Sequence, residues 1–361
     1  MGDIVLVGGG HANLSFIKKH NQDRHEDTSC TLVSADRYQY YSGMFSGFLE
    51  GIYSLKQIRI DLQDFCKDHN VRFVCDKADR IDQVNKRVIV SSGQEIPYEV
   101  LSVNVGSHVQ DDIPGAHDHA LSLKPNFHFL EVVERIRHSP RTIIVGGGAA
   151  GVELMFSLHA WREKNELNSK ELTLLTGGEV FEGEAEFAKQ KIRRLFQKKQ
   201  INLVEHERAE EMTTRFVKTN NGEYEGEAIL WLAGPKPPPL IRDLDVKKSE
   251  GGFLLVTDRM QSVSDPAIFG AGDCITVQSY PHLPKNGVYA IRQANELYEN
   301  VNRYLKGETL KTFTPQKRYL AILSTGHREG LLTYGKFSIH GKIPWLVKNR
   351  IDGSFMKTLR C

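Results

Sequence analysis

Residues 4–10 have the sequence IVLVGGG, and residues 142–148 have the sequence TIIVGGG. In both stretches a short aliphatic run, typical of a buried strand, stops at three consecutive glycines. A pattern typical of a helix follows each triplet, and a further apolar run follows at residues 31–33 and 172–175. This order of elements predicts the start of a doubly wound sheet. The second unit begins roughly 140 residues after the first, which indicates an internal duplication of a fold.

A glycine triplet after a strand lets a phosphate group approach the backbone. The first glycine makes the turn, the second admits a pyrophosphate, and the next helix offers unpaired amides and the positive end of its dipole. Gly146, Gly148 and Gly151 complete the GxGxxG spacing, whereas Asn13 occupies the third position of the first turn and weakens that match. We predict dinucleotide contacts at both turns, from Gly8, Gly9, Gly10, His11 and Ala12, and from Gly146, Gly148, Ala149, Ala150 and Gly151.

The residue that ends the second strand of each unit usually decides how the ribose is bound. A carboxylate at this position binds the ribose hydroxyls and repels a 2′-phosphate. This chain has Ser34 and Thr176 instead. Asp36 either replaces the missing acid at the first site or is an ordinary exposed turn residue. The sequence therefore leaves the choice between NADH and NADPH open.

Residues 257–274, TDRMQSVSDPAIFGAGDC, form the third informative stretch. Here the chain resembles the flavoprotein family with two dinucleotide-binding domains, which includes type II NADH dehydrogenases and pyridine nucleotide–disulfide reductases. In that family a threonine, a spacer, a buried strand and Gly-Asp bind the ribityl chain of FAD, and Gly272 and Asp273 match this motif. A cap of a turn or helix is the alternative for Asp273. VNVGS at 103–107 and LAG at 232–234 resemble the crossovers between the two domains.

The resemblance covers residues 1–305 and implies an α/β fold with two Rossmann-like domains, the second inserted into the first. FAD is then the cofactor, and NADH or NADPH is the co-substrate. Proline-rich residues 235–239 are the expected linker. The expected parts are an FAD-binding domain (1–112 and 235–305), an NAD(P)-binding domain (113–234) and a small C-terminal α+β segment (306–361).

The resemblance also implies roles outside the glycine turns. A helix beginning near Gly287 would point its N-terminus at the flavin, where its dipole stabilises the anionic reduced ring. Lys285 either adds a positive charge there or is a solvated loop lysine, and Glu153 either lies near the nicotinamide or is an exposed first-turn residue. We take Glu153 and Lys285 as the candidate catalytic residues. Further cofactor contacts are expected at Ser34, Ala78, Gly106, Thr176, Gly234, Gly272, Asp273, Gly287 and Val288.

Three shorter stretches resemble a narrower subgroup, found beside or fused to selenophosphate synthetase. They are YSGM at 41–44, PKNGVYAIRQ at 284–293 and KNRIDGSFM at 348–356. The similarity associates the chain with selenium metabolism, although no residue identifies a selenium ligand.

The positions of the cysteines indicate whether electrons pass through a redox-active cysteine pair, as in the disulfide reductases of the family. None of the five cysteines forms a CxxC or CxxxxC pair, and residues 38–51, where the disulfide reductases carry a redox pair, contain no cysteine. We therefore expect electron transfer from nicotinamide to flavin and onward without a dithiol. By analogy the acceptor is a quinone or a similar small molecule. The alternatives are reduction of a small redox protein, such as a ferredoxin or rubredoxin, and a slow flavin- and NADH-binding sensor.

Composition limits the other partners. Lys and Arg number 47 against 45 Asp and Glu, a net charge of +2, which argues against nucleic acid as the main partner. No apolar run reaches the length of a membrane span, and the start MGDIVLVGGG lacks the features of a signal peptide. Together with the unpaired cysteines, this pattern favours a reducing, cytoplasmic location. The histidines show no metal-ligand spacing with cysteine or carboxylate, so we predict no metal site.

The C-terminal tail has its own pattern. Val347, Ile351, Phe355 and Leu359 recur at helical spacing near Trp345, and from residue 341 onward five basic residues accompany one acid. Residues 343–360 therefore fit three roles: peripheral contact with a membrane at its inner face, packing on the body of the protein, or a homodimer interface.

Overall fold

The computed structural model describes residues 2–23, 28–169, 171–316 and 318–360. Cys361 lies outside the described residues. Within these ranges the strands are β1 (Gly2–Val7), β2 (Thr28–Ser34), β3 (Tyr38–Tyr40), β4 (Arg59–Asp61), β5 (Arg72–Cys75), β6 (Ala78–Asp82), β7 (Arg87–Val90), β8 (Glu95–Pro97), β9 (Val100–Val103), β10 (His108–Val109), β11 (Thr142–Val145), β12 (Leu172–Leu175), β13 (Asn202–Val204), β14 (Ala209–Met212), β15 (Phe216–Thr219), β16 (Glu223–Glu225), β17 (Ala228–Trp231), β18 (Pro235–Lys236), β19 (Leu254–Val256), β20 (Ile268–Gly270), β21 (Ile275–Val277), β22 (Ala321–Gly326), β23 (Glu329–Tyr334) and β24 (Phe337–Gly341).

The helices of the same ranges are α1 (His11–Gln22), α2 (Phe45–Leu49), α3 (Leu55–Ile58), α4 (Leu62–Asp68), α5 (Ala116–His119), α6 (Phe129–His138), α7 (Ala149–Lys164), α8 (Glu186–Lys198), α9 (Pro239–Arg242), α10 (Gly287–Leu305) and α11 (Lys342–Thr358). A short 3₁₀ turn at Asn126–His128 directly precedes α6.

The first sheet is parallel and has the strand order β20-β9-β1-β2-β5. β1 lies at its centre, and Ile4, Val5, Leu6 and Val7 are all buried. Such a continuous apolar run is typical of a parallel strand that is covered on both faces. β20 joins this sheet beside β9, although it follows the whole second sheet in the chain. A late segment therefore completes the first sheet.

The second sheet is also parallel and has the order β13-β12-β11-β17. All its strands come from one uninterrupted part of the chain, between Thr142 and Trp231. A three-stranded antiparallel sheet, β14-β15-β16, accompanies it. The predicted α/β fold with a second Rossmann-like unit inside the first is confirmed, while the limits of the domains at 112, 234 and 305 stay a prediction.

The two crossings between the sheets lie side by side. β10 pairs antiparallel with β18, so that His108 faces Lys236 and Val109 faces Pro235. Lys236 also places its Nζ 3.0 Å from Asp111 and 2.8 Å from Asp112. The proline-rich linker therefore begins as a paired strand, and it ends where α9 starts at Pro239, a favourable first helical position for proline.

The C-terminal part is an antiparallel sheet, β22-β23-β24, followed by α11. Two members of the expected apolar stripe of α11, Val347 and Ile351, are exposed, whereas Leu359 is buried and Phe355 packs on the core. The four residues do not share one face, because residues four apart advance by about 40° around a helix. In the described ranges, every helix falls short of the length and apolarity that a bilayer-spanning segment needs.

Candidate functional site

The first glycine turn has no room for side chains. Gly8 has a φ of +93°, and a Cβ there would lie 2.4 Å from the carbonyl oxygen of Asn104. A Cβ on Gly10 would lie 2.1 Å from Oδ1 of the same asparagine. This Oδ1 accepts the backbone N–H of Ala12 at 3.0 Å, and Nδ2 donates to the carbonyl of Ala271 at 2.6 Å. Asn104 therefore ties the turn to the loop after β20, a role that the crossover motif alone did not indicate.

Asn13, at the third position of the motif, is fully buried. Its Nδ2 donates to the carbonyls of Val7 at 3.2 Å and Gly8 at 2.8 Å, and its Oδ1 accepts from Oγ of Ser102 at 2.8 Å. A glycine at this position would allow close contact between helix and strand. Asn13 instead holds the turn through hydrogen bonds, so the departure from the motif leaves the turn intact.

A cavity of about 460 Å³ opens beside this turn and extends to the start of α10, a volume within the usual range for small-molecule sites. Asp36 lines it and accepts the N–H of Tyr38 at 2.6 Å. Ala12 and Val288 are only chain neighbours of lining residues. Among the expected cofactor contacts, the cavity is lined by Gly8, Gly9, Gly10, His11, Ser34, Ala78, Gly106, Gly272, Asp273 and Gly287.

Asp273 faces this cavity beside a cation that the sequence did not reveal. Nζ of Lys124 lies 3.1 Å from Oδ2 of Asp273 and also donates to Oγ of Ser107. Lys124 itself lines the cavity. Its position in a loop far from any motif explains why spacing did not identify it.

The imidazole of His11 joins the cavity to the C-terminal helix. Its ring centre lies 5.4 Å from that of Tyr41 and 5.5 Å from that of Phe355 in α11. Burial lowers the pKa of His11 to about 4, so the ring is neutral near pH 7. Nε2 is buried without a hydrogen-bond partner in the described part of the chain.

The second glycine turn has the geometry that GxGxxG predicts. A Cβ on Gly151 would lie 1.9 Å from the carbonyl oxygen of Gly146, whereas the space around Gly148 is open. Ala149 and Ala150 begin α7 at this turn. Thr176 lies below it, with Oγ1 2.7 Å from the position of a Cβ on Gly147. These residues are absent from the lining of the first cavity, so the two glycine turns belong to separate sites. Gly234 lies in the crossover, beside Gln110.

Residues 2–294 match the family model of pyridine nucleotide-disulphide oxidoreductases. The chain belongs to this family. The NADH dehydrogenase-like protein YutJ of Bacillus subtilis is 23% identical to it over 355 residues, which cover 97% of each chain. Type II NADH:quinone oxidoreductase of Haemophilus influenzae is 23% identical over 408 residues, covering 97% of this chain and 90% of the other.

A solved structure gives the same fold. NDH2 from Plasmodium falciparum in complex with NADH matches with a TM-score of 0.83 at 13% identity, covering 98% of this chain and 97% of the other. This pyridine nucleotide-disulphide oxidoreductase is therefore a flavin-dependent NAD(P)H oxidoreductase, with FAD as cofactor and NADH or NADPH as co-substrate. Its residues fit FAD, because the first turn excludes any Cβ and Asp273 faces the same cavity. The narrower selenophosphate similarity stays a prediction.

Within this oxidoreductase, Glu153 of α7 is partly buried among three other elements. Its Oε1 accepts from Oγ of Ser46 and from the backbone N–H of Ser324, both at 2.9 Å. Nζ of Lys348 in α11 lies 3.7 Å from the same oxygen and 2.8 Å from Oδ2 of Asp352. The first-turn glutamate therefore belongs to a polar network that joins α7, α2, β22 and α11.

The same network reaches the first cavity. The hydroxyl of Tyr41 donates to Oδ1 of Asp352 at 2.9 Å, and the Tyr41 ring contacts His11. Burial lowers the pKa of Lys348, but the charges of Glu153 and Asp352 outweigh burial and raise this pKa above its ordinary value. The sequence did not reveal a role for Tyr41, Lys348 or Asp352 at the site, because the contacts of this network join parts of the chain that lie hundreds of residues apart.

Lys285 is absent from the lining of the first cavity. Its Nζ donates to the carbonyl of Ile275 at 2.5 Å and lies 3.6 Å from the centre of the Phe253 ring. Burial lowers the pKa of Lys285 to about 8. These contacts hold the side chain of Lys285 in place, and its catalytic role stays a prediction.

Proposed function

We propose that this oxidoreductase passes electrons from NADH or NADPH through FAD to a quinone or similar small acceptor without a redox-active cysteine pair. The observation that carries the proposal is the lining of the first cavity. The glycine turn and Asp273 both face it, and none of the lining residues in the described ranges is a cysteine.

The residues of the first turn are suited to the FAD pyrophosphate. Gly8 to His11 would present backbone amides and the start of α1 to the phosphates. Asp273 would accept hydrogen bonds from the ribityl chain, and Gly287 would place the start of α10 beside the flavin ring. When bound there, FAD accepts a hydride from the nicotinamide and delivers the electrons to the acceptor. For the nicotinamide nucleotide we propose the second turn, with Gly146, Gly148 and Gly151.

The described cysteines support a reaction without a dithiol. Cys30 and Cys66 are buried in the core, where burial raises the pKa of both thiols. Cys274 is buried as well, and its Sγ donates to the carbonyl of Val103 at 3.4 Å. A protonated, buried thiol is a poor nucleophile. Only Cys75 is exposed among these thiols.

Reduction of a quinone also consumes protons, and the network of Glu153 and Lys348 provides groups that can hold them. Lys348 keeps its proton because of the two adjacent carboxylates. Through Asp352 and Tyr41 this ammonium is connected to the cavity beside His11. We propose Glu153 as a catalytic residue of the nicotinamide side, supported in its position by Ser46 and Lys348.

The exposed face of α11 supports the proposal that the acceptor is lipophilic. Apolar side chains project into solvent from this helix, while its other face packs on the protein through Trp345 and Met356. The exposed residues Ile343, Leu346, Val347 and Ile351 form what we call the outer apolar face. Lys342, Arg350 and Lys357 are exposed beside it. We propose that this face contacts a membrane surface, where quinones are found.

An acceptor panel tests the proposal. Steady-state oxidation of NADH and NADPH would be measured with a water-soluble quinone, with ferredoxin and with rubredoxin. We expect the quinone to give the highest kcat/KM. A higher kcat/KM with either redox protein would replace the proposal with the redox-protein alternative. Tight NADH binding with a long-lived charge-transfer band and no turnover would indicate a sensor instead.

A further inference from the structure

Three side chains far from both glycine turns meet on the other end of α7. His159 and Glu163 lie one turn apart on this helix, and His327 comes from the tight turn between β22 and β23. Nδ1 of His159 lies 3.2 Å from Oε2 of Glu163, and Nε2 of His327 lies 2.7 Å from the same oxygen. The three ligand atoms all lie within 4.8 Å of one another.

The hydrogen bonding of His159 leaves one ring nitrogen free. Nε2 lies 3.0 Å from the backbone carbonyl of Lys199, which can only accept, so Nε2 carries the proton. Nδ1 then has a lone pair, is buried, and has no hydrogen-bond partner in the described ranges. The side chain of His159 is only 3% exposed. Nδ1 and a carboxylate oxygen, both acceptors, therefore face each other, and a cation between them would make this contact favourable.

His327 is held firmly against α7. A Cβ on Gly326 would lie 2.7 Å from the carbonyl oxygen of Phe156 and 2.9 Å from Cβ of Ala160, so the hairpin and the helix are in close contact. His327 and Arg328 have φ values of +55° and +57°, which is the backbone of a two-residue hairpin turn with both residues left-handed. The backbone of the hairpin thus holds residue 327 beside the other two ligands, while its side chain can still turn.

We propose that His159, Glu163 and His327 bind a divalent transition-metal ion, with Zn²⁺ as the best match. Two imidazoles and one carboxylate are a common zinc ligand set, and ligand atoms around tetrahedral zinc lie about 3.3 Å apart. His159 and Glu163 already have this spacing, and the side chains of Glu163 and His327, 46% and 45% exposed, have room to adjust. The Lys199 carbonyl orients the buried imidazole, as carbonyl partners of zinc-bound histidines do.

The ion would connect two parts of the molecule. α7 begins at the second glycine turn, and His159 lies about 15 Å along the helix from its start, so the ion would not touch the nicotinamide nucleotide. It would instead hold the C-terminal hairpin on α7. From the sequence we predict no metal ligands, although His159 and Glu163 lie four residues apart. The third ligand, His327, is 164 residues from Glu163, so spacing could not locate it.

Zinc binding to the FAD-loaded full chain tests the proposal. After chelator treatment and dialysis, Zn²⁺ would be titrated by equilibrium dialysis with metal analysis, and the Tm would be measured with and without it. We expect one Zn²⁺ per chain and a higher Tm. Glu163→Gln and His327→Asn should each bind at least about tenfold more weakly and lose the rise in Tm. Asparagine replaces His327 because it is favoured in such hairpin turns and should not disturb folding.

A matched variant controls for surface histidines. His138 forms an exposed i,i+4 pair with Glu134 at 3.6 Å, and the described residues offer this pair no third metal ligand. His138→Asn should therefore bind Zn²⁺ like the unmodified chain. The proposal is overturned if the unmodified chain binds no stoichiometric Zn²⁺. It is also overturned if both site variants bind as tightly as the unmodified chain, or if His138→Asn loses binding to the same extent. None of these readouts depends on the electron acceptor.

Discussion

The amide group of Asn13 donates two hydrogen bonds inside the first glycine turn, to the carbonyls of Val7 and Gly8. In Asn13→Asp a buried carboxylate would face those carbonyls instead of a donor. We expect the free energy of unfolding to fall by about 3–5 kcal/mol, the usual effect of an uncompensated buried charge. Urea denaturation followed by circular dichroism measures this change.

Asn202→Asp is the matched control, because Asn202 is exposed in β13. This variant should lie within about 0.5 kcal/mol of the unmodified chain. A loss below about 1 kcal/mol for Asn13→Asp would contradict the hydrogen-bonding role that we assign to Asn13.

Thr176 stands where a ribose-binding carboxylate is common, next to Gly147 of the second turn. In Thr176→Asp the new carboxylate would accept from ribose hydroxyls and repel a 2′-phosphate. We expect the ratio of kcat/KM for NADH to that for NADPH to rise at least about tenfold, which corresponds to 1.4 kcal/mol. Thr176→Val is the uncharged control. An unchanged ratio in Thr176→Asp would place the ribose elsewhere.

At the scale of elements, α11 depends on one buried cation. Lys348 lies between Glu153 and Asp352, and Lys348→Met would leave both carboxylates without a positively charged partner. We expect a loss of about 3–5 kcal/mol in unfolding free energy and faster proteolysis within α11. Lys357→Met, an exposed change on the same helix, should have little effect. Equal stability of the two variants would show that Lys348 is not needed to hold α11.

The elements show what can be predicted from this sequence. Aliphatic runs and glycine triplets have local causes, so β1, β11 and their turns could be located from neighbouring residues. The face of α11 that packs inward could not, because it depends on contacts with Tyr41 and Glu153 far away in the chain. For the same reason the contacts of Asn104 and the position of Lys124 could not be predicted, although both residues line the cavity with predicted residues. Local sequence patterns identify the motifs, whereas the contacts between distant motifs can be identified only from the folded structure.

At the scale of the whole molecule, the outer apolar face of α11 predicts binding to lipid vesicles. Leu346→Ser with Ile351→Ser should weaken binding to anionic vesicles at least about tenfold, since burial of each apolar side chain contributes roughly 1.5–3 kcal/mol. Sedimentation with vesicles measures the bound fraction. Val84→Ser with Phe187→Ser, which removes exposed apolar residues elsewhere, is the control. Equal binding by both double variants would exclude α11 as the contact.

The proposed function predicts where the electrons from the nicotinamide are stored. They should reside on one FAD and not on a pair of thiols. Anaerobic titration of the purified FAD-loaded protein with NADH or NADPH tests this claim most directly. We predict that one equivalent of reductant bleaches the flavin absorbance completely. A requirement for two equivalents would reveal a redox-active disulfide, and no bleaching with either nucleotide would contradict the account as a whole.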